Sequence, residues 1–118
     1  MSIKRNELKE RPDTLPSITW QVPTGQGRAY ITVSYDEEDK PFEVFGIIGH
    51  SGTDVKEVIE GICRLASLAL RSDIPIEEVI GQLKGIKSSQ PVWYNGVEIL
   101  GIVDAVGQVL ELASNKEG

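Results

Sequence analysis

The order of three features along the 118 residues predicts an α+β fold. The first half holds three β-type runs separated by turn residues. The middle holds apolar residues at helical spacing, and an Asn-Gly pair then sits between two short β-type runs ahead of a last helical stretch. Strands followed by helices predict an antiparallel three-stranded meander plus a C-terminal hairpin, packed against two or three helices.

The elements follow in chain order. Residues 1–12 are polar, carry most of the N-terminal basic side chains and read as a flexible arm, with 13–118 as one domain. Runs over about 17–23, 28–35 and 41–48 are rich in β-branched and aromatic residues, and "PTGQG" and "DEEDKP" supply turns between them. Alternation puts Ala29, Ile31, Val33 and Tyr35 on the core face of the middle strand, with Tyr30, Thr32 and Ser34 opposite. A long helix is expected over about 53–72, with Val55, Ile59, Ile62, Leu65, Ala66 and Ala69 toward the core and Val58, Leu68 and Leu70 widening the stripe. A second helix restarts with Pro75 in its first turn and stops at Gly85. Asn95-Gly96 is the preferred pair for a tight hairpin turn, and a last helix runs over about 102–114.

Composition excludes several classes. The single cysteine, Cys63, allows no intramolecular disulfide, and with one histidine a four-ligand structural zinc site is implausible, so no metal and no cofactor are expected. Cys63 falls inside the long helix and reads as a small buried apolar residue. A net charge of −6 marks a small acidic protein and argues against duplex nucleic acid as partner. The chain shows neither an apolar run of spanning length nor a signal-peptide pattern, so no membrane association and a cytoplasmic location are expected.

One stretch points to a ligand. In "GHSGTDVKE", Gly49 and Gly52 bracket His50 and Ser51, and Thr53 opens the long helix. Glycines permit unusual backbone or close approach, and N–H groups at a turn into a helix attract anions. Arg28, at the start of the second strand, and Arg71, at the end of the long helix, are the basic residues placed nearest such an anion. The candidate ligand set is therefore Arg28, Gly49, His50, Ser51, Gly52 and Thr53. The alternative is a plain strand-to-helix turn, with Asp54 itself answering the helix N-terminus. Neither a Walker loop nor a dinucleotide fingerprint is completed, and no nucleophile–base pair accompanies His50, so no catalytic residue is assigned. Trp20, Trp93 and Tyr94 offer either base stacking or ordinary packing. Arg71 suits the negative end of the long helix, and Arg64 suits the edge of its apolar stripe.

Arg11-Pro12, Thr24-Gly25-Gln26-Gly27, "PFEVF", Gly49 with Gly52, "RLASLALR" and "QLKGI" recur in order over about residues 11–112. Together they resemble the C-terminal region of adenosylcobalamin-dependent (class II) ribonucleotide reductases, which carries a small domain named after a Thr-Ser-Cys-Pro-Asp motif. The resemblance places that motif at "LGIVDAV": Asp104 and Ala105 are kept, but Ile102 and Val103 stand in the Cys-Pro positions. A second Cys-Pro, usual in the family after the "GI" at Gly85-Ile86, is replaced by "KSSQP" with Ser88 and Ser89, and His50 stands where many members have Lys. The barrel, cobalamin site and radical cysteines of such a reductase are expected to lie outside these residues.

The resemblance thus implies a relative of a reductase appendage without the thiol chemistry. The expected function is a non-catalytic binding module for a nucleotide, another phosphorylated small molecule or a reductase-type protein partner. A protein-interaction or oligomerisation domain stays open, with Trp93, Val97 and Ile99 as contacts of a homodimer. So does a virus- or prophage-encoded protein that sequesters a nucleotide signal.

Overall fold

The computed structural model describes residues 8–49 and 53–115. Three antiparallel strands, β1 (Ser17–Thr24), β2 (Gly27–Tyr35) and β3 (Pro41–Ile48), form one sheet in the order β1-β2-β3. Helices α1 (Thr53–Arg71) and α2 (Ile76–Leu83) follow, then a two-stranded hairpin of β4 (Val92–Tyr94) and β5 (Val97–Ile99), then α3 (Ile102–Ser114). This is the predicted α+β arrangement.

Alternation along β2 decides which face is covered. Ala29, Ile31, Val33 and Tyr35 are buried and meet Ile59, Cys63 and Ala66 of α1 and Val106, Val109 and Leu110 of α3 in one core. The opposite sheet face is ordered by cross-strand polar pairs: Thr19 and Thr32 share a hydroxyl hydrogen bond at 2.7 Å, and Gln21 Nε2 donates to the Tyr30 hydroxyl at 3.0 Å. Asn95 and Gly96 both take positive φ in the β4–β5 turn, as a type I′ turn demands.

Edge strand β3 is closed by α1. Ser67 Oγ accepts from the Val44 N–H at 3.0 Å and donates to the Val44 carbonyl at 2.9 Å, satisfying both outward backbone groups of that residue. The helix sits close because β3 carries Gly46, where a Cβ would lie 2.8 Å from Ile59 Cδ1 and 3.2 Å from Cys63 Sγ. Past its last turn, the Asp73 N–H reaches the Leu70 carbonyl and the Ile74 N–H reaches the Ala69 carbonyl, a Schellman stop with Asp73 at φ 63°.

Several local expectations are revised. Leu65 was placed toward the core, yet it is 68% exposed; the buried stripe of α1 is Ile59, Cys63, Ala66 and Leu70. Pro75 is the N-cap of α2 rather than a first-turn residue. Within the segment read as an arm, Lys9 and Arg11 are tied to the body. The Lys9 N–H donates to the Arg71 carbonyl, the Arg71 guanidinium donates back to the Lys9 carbonyl, and Arg11 Nε holds both oxygens of the buried Glu43 carboxylate at 2.9 and 3.0 Å.

Candidate functional site

The sheet ends where the ligand stretch begins. The Gly49 N–H donates to the Arg28 carbonyl at 3.0 Å, extending the β2–β3 ladder by one pair. Arg28 opposes Pro23 on its other side; it is exposed, and alternation along β2 puts its side chain with Tyr30 and Thr32 on the sheet face opposite the core. Two of the six predicted ligand residues are thereby neighbours.

The same bond changes what Gly49 can offer. Its N–H is spent in the ladder, so any anion at this turn must be held by groups further along. Its φ is not in the left-handed region, and among the described residues no atom lies within 4 Å of the place a Cβ would occupy. His50, Ser51 and Gly52 lie outside the described residues, as does the side chain of Thr53, whose backbone starts α1. Asp54 occupies the first turn of α1.

The other basic candidates are committed elsewhere. Arg71 donates to the Lys9 carbonyl and stacks over the Phe42 ring at 5.5 Å. Arg64 pairs with Glu60 one helical turn away at 2.9 Å. Of the aromatics, Trp20 packs against the core, whereas Trp93 is 72% exposed on the hairpin. A groove of about 820 Å³ runs between β1, the hairpin and α3, walled by Trp20, Tyr94, Val97 and Leu112 with Gln108 at its side. It lies along β1 residues 19–22 and includes neither Arg28 nor Gly49.

A second polar centre sits under that groove and was not singled out as a site from the sequence. Asp104, 1% exposed in the first turn of α3, accepts from the Gly85 N–H at 2.7 Å, the Leu100 N–H at 2.9 Å and Gln108 Nε2 at 2.7 Å. One carboxylate thus fastens the end of α2, the end of β5 and α3 together. Beside it, Ser88 joins the same knot: its N–H and its hydroxyl both donate to the Leu100 carbonyl at 2.8 Å. A Cβ at Gly101 would fall 3.0 Å from Ser88 Cβ. The segment around Ser88 and the one at Leu100-Gly101 therefore meet in space. Here the meeting point is knit by a serine hydroxyl and an aspartate. The available signal in the sequence was Asp104 in the "LGIVDAV" stretch.

Cys63 is remote from this knot, 3% exposed between α1 and β3. Burial pushes its thiol up to about 12, so it stays protonated and unreactive at neutral pH. Among the described residues no group of three or more His, Cys, Asp or Glu side chains is arranged to hold a metal ion. No described helix is long and apolar enough to cross a membrane.

Compared with known proteins, residues 3–114 match the family model described as the TSCPD domain. No curated protein and no solved structure matches the chain.

Proposed function

The chain belongs to the TSCPD domain family, and on that premise we propose that it is a ribonucleotide-reductase-associated binding module that holds a phosphorylated ligand and performs no thiol chemistry. The family match spans nearly the whole chain, and the finer resemblance, to the appendage of class II reductases, supplies the link to nucleotides.

The observation that carries the ligand reading is the Arg28–Gly49 bond. It sets the backbone of Arg28, an exposed residue, beside Gly49 at the end of the sheet where the chain turns into a 19-residue helix. A turn into a helix N-terminus, with an arginine on the adjoining strand, suits a ligand that carries phosphate oxygens. Asp54 competes for the same N–H groups, which favours a ligand that also engages Arg28 over free phosphate.

The absence of thiol chemistry is supported by the knot of Ser88, Leu100 and Asp104. Near the positions where the resemblance expects cysteines, this chain has hydrogen bonds of Ser88 and Asp104 that need no redox change. Cys63 offers no thiolate to replace them.

A panel of ADP, dATP, a cyclic dinucleotide and inorganic pyrophosphate, read by the shift in melting temperature, tests the reading. At least one nucleotide raises the melting temperature, by the mass-action stabilisation a bound ligand gives. A flat response to the whole panel contradicts it.

A further inference from the structure

Helix α1 carries two apolar seams; the fold covers one fully and the other only in part. Ile59, Cys63, Ala66 and Leu70 are buried and follow a 4-3-4 spacing. Val58, Ile62, Leu65 and Ala69 follow the same spacing one residue earlier, so they form a second stripe roughly 100° around the helix. A helix on a two-layer domain needs one such stripe for its core. Half of the second is open: Val58 is 46% and Leu65 68% exposed, while Ile62 and Ala69 are half-buried at the edge of the core. Between it and α2 runs a groove of about 340 Å³ whose floor and far wall are Ala66, Ala69, Val79 and Leu83.

From this the geometry points to a homodimer in which the α1 helices of two copies cross antiparallel along the second seam. Three observations select a second copy as the occupant. A 4-3-4 seam reads the same in both directions, so an antiparallel copy in register sets Ile62 against Leu65 of the second copy, and Val58 against its Ala69. Both contacts occur twice about a two-fold axis, which is the requirement for a closed, isologous interface. Gly61, exposed and with open space where a Cβ would be, lies in the hole formed with Val58, Ile62 and Leu65, where an incoming leucine knob seats. The stripe of Val58, Gly61, Ile62, Leu65, Leu68 and Ala69 bears no formal charge in a chain of net −6, so the middle of the seam brings no like charges together, and Asp54 and Asp73 of two copies meet only at its ends.

The size agrees. With Leu68 and Ile74 at its margins, the open apolar surface is on the order of 500 Å², at the upper end of the largest patch a monomer leaves bare. It supplies most of the ~800 Å² that one partner contributes to a standard interface. The hairpin competes poorly for the role, because Ile99, one of its three expected contact residues, is 4% exposed and belongs to the core. This inference is independent of the ligand reading.

Light scattering on the full chain, from low to high micromolar concentration, tests it. The wild type is expected at twice the 12.9 kDa of one chain. Leu65→Glu, at a residue that supports nothing in the monomer core, gives the single-chain mass with an unchanged far-UV spectrum and a dissociation constant raised at least ~100-fold. Val58→Lys repeats the test through a second residue, and Trp93→Ser on the hairpin stays dimeric. A wild type that remains at 12.9 kDa throughout overturns the inference, as does dimerisation that survives both seam substitutions or is lost through Trp93→Ser.

Discussion

The backbone N–H of Gly85 points at Asp104 Oδ1, 2.7 Å away across 19 residues of sequence. That bond, with those from Leu100 and Gln108, makes one buried carboxylate the fastening of the C-terminal half. Replacing Asp104 by Ala leaves two backbone donors without a protein partner under the groove. Each orphaned buried donor costs about 1–3 kcal/mol, so Asp104→Ala is expected to lose roughly 3 kcal/mol in urea unfolding. Asp104→Asn, which keeps one acceptor oxygen, loses about half as much. An unfolding midpoint unchanged in both variants would show that the knot is ornamental to stability.

The Arg11–Glu43 pair makes a second prediction. Glu43 has a side chain 5% exposed, and Arg11 is the cation that reaches it. Truncation to Arg11→Ala buries an uncompensated carboxylate and is expected to cost about 2 kcal/mol, less than a fully buried pair because Arg11 itself is 40% exposed. Glu43→Gln in the Arg11→Ala background recovers part of the loss. A double-mutant cycle in urea measures the coupling, and a coupling of zero contradicts the assignment.

Much of the fold was legible in the sequence, and the missing parts have a common cause. Alternation in β2 identified its core face, and Asn95-Gly96 identified the hairpin, because both signals are local. Periodicity in α1 showed a wide apolar surface but could not say which flank the sheet would cover, so Leu65 was assigned to the core although its neighbour Ala66 holds that place. Ser67, Asp104 and Arg11 act on partners 23, 19 and 32 residues away, and no local pattern announces such pairs. The candidate site was half legible: Arg28 and Gly49 prove adjacent, while the ladder bond that consumes the Gly49 N–H depends on strand register.

Ser67 provides a local probe of the α1–β3 contact. Ser67→Ala removes both partners of Val44 at the sheet edge and is expected to cost about 1–2 kcal/mol. Hydrogen exchange reads it directly: the Val44 amide loses protection relative to its β2-facing neighbours Glu43 and Phe45. Protection of Val44 equal to that in the wild type would contradict the capping role.

Cys63 predicts a pH dependence. Its thiol is raised from 9.0 to about 12 in the folded chain by desolvation, so the unfolded chain gives up the proton first. Stability from this group is full below pH 9 and declines as pH rises from about 9 toward about 12. Urea unfolding of wild type and Cys63→Ala across that window isolates the slope, which is steeper in the wild type. A disulfide-exchange reagent at pH 8 leaves the native thiol unmodified and labels it once the chain is unfolded. Rapid labelling of the native protein would contradict its burial.

The most direct test of the central claim is calorimetric titration of the wild type and Arg28→Ala with the nucleotide that gives the largest thermal shift, followed by chromatography of that nucleotide after long incubation. Saturable one-site binding is expected, weakened about tenfold or more by loss of the charge-assisted bond in Arg28→Ala, with the nucleotide recovered intact. Absence of heat, affinity indifferent to Arg28, or conversion of the nucleotide to product would contradict it.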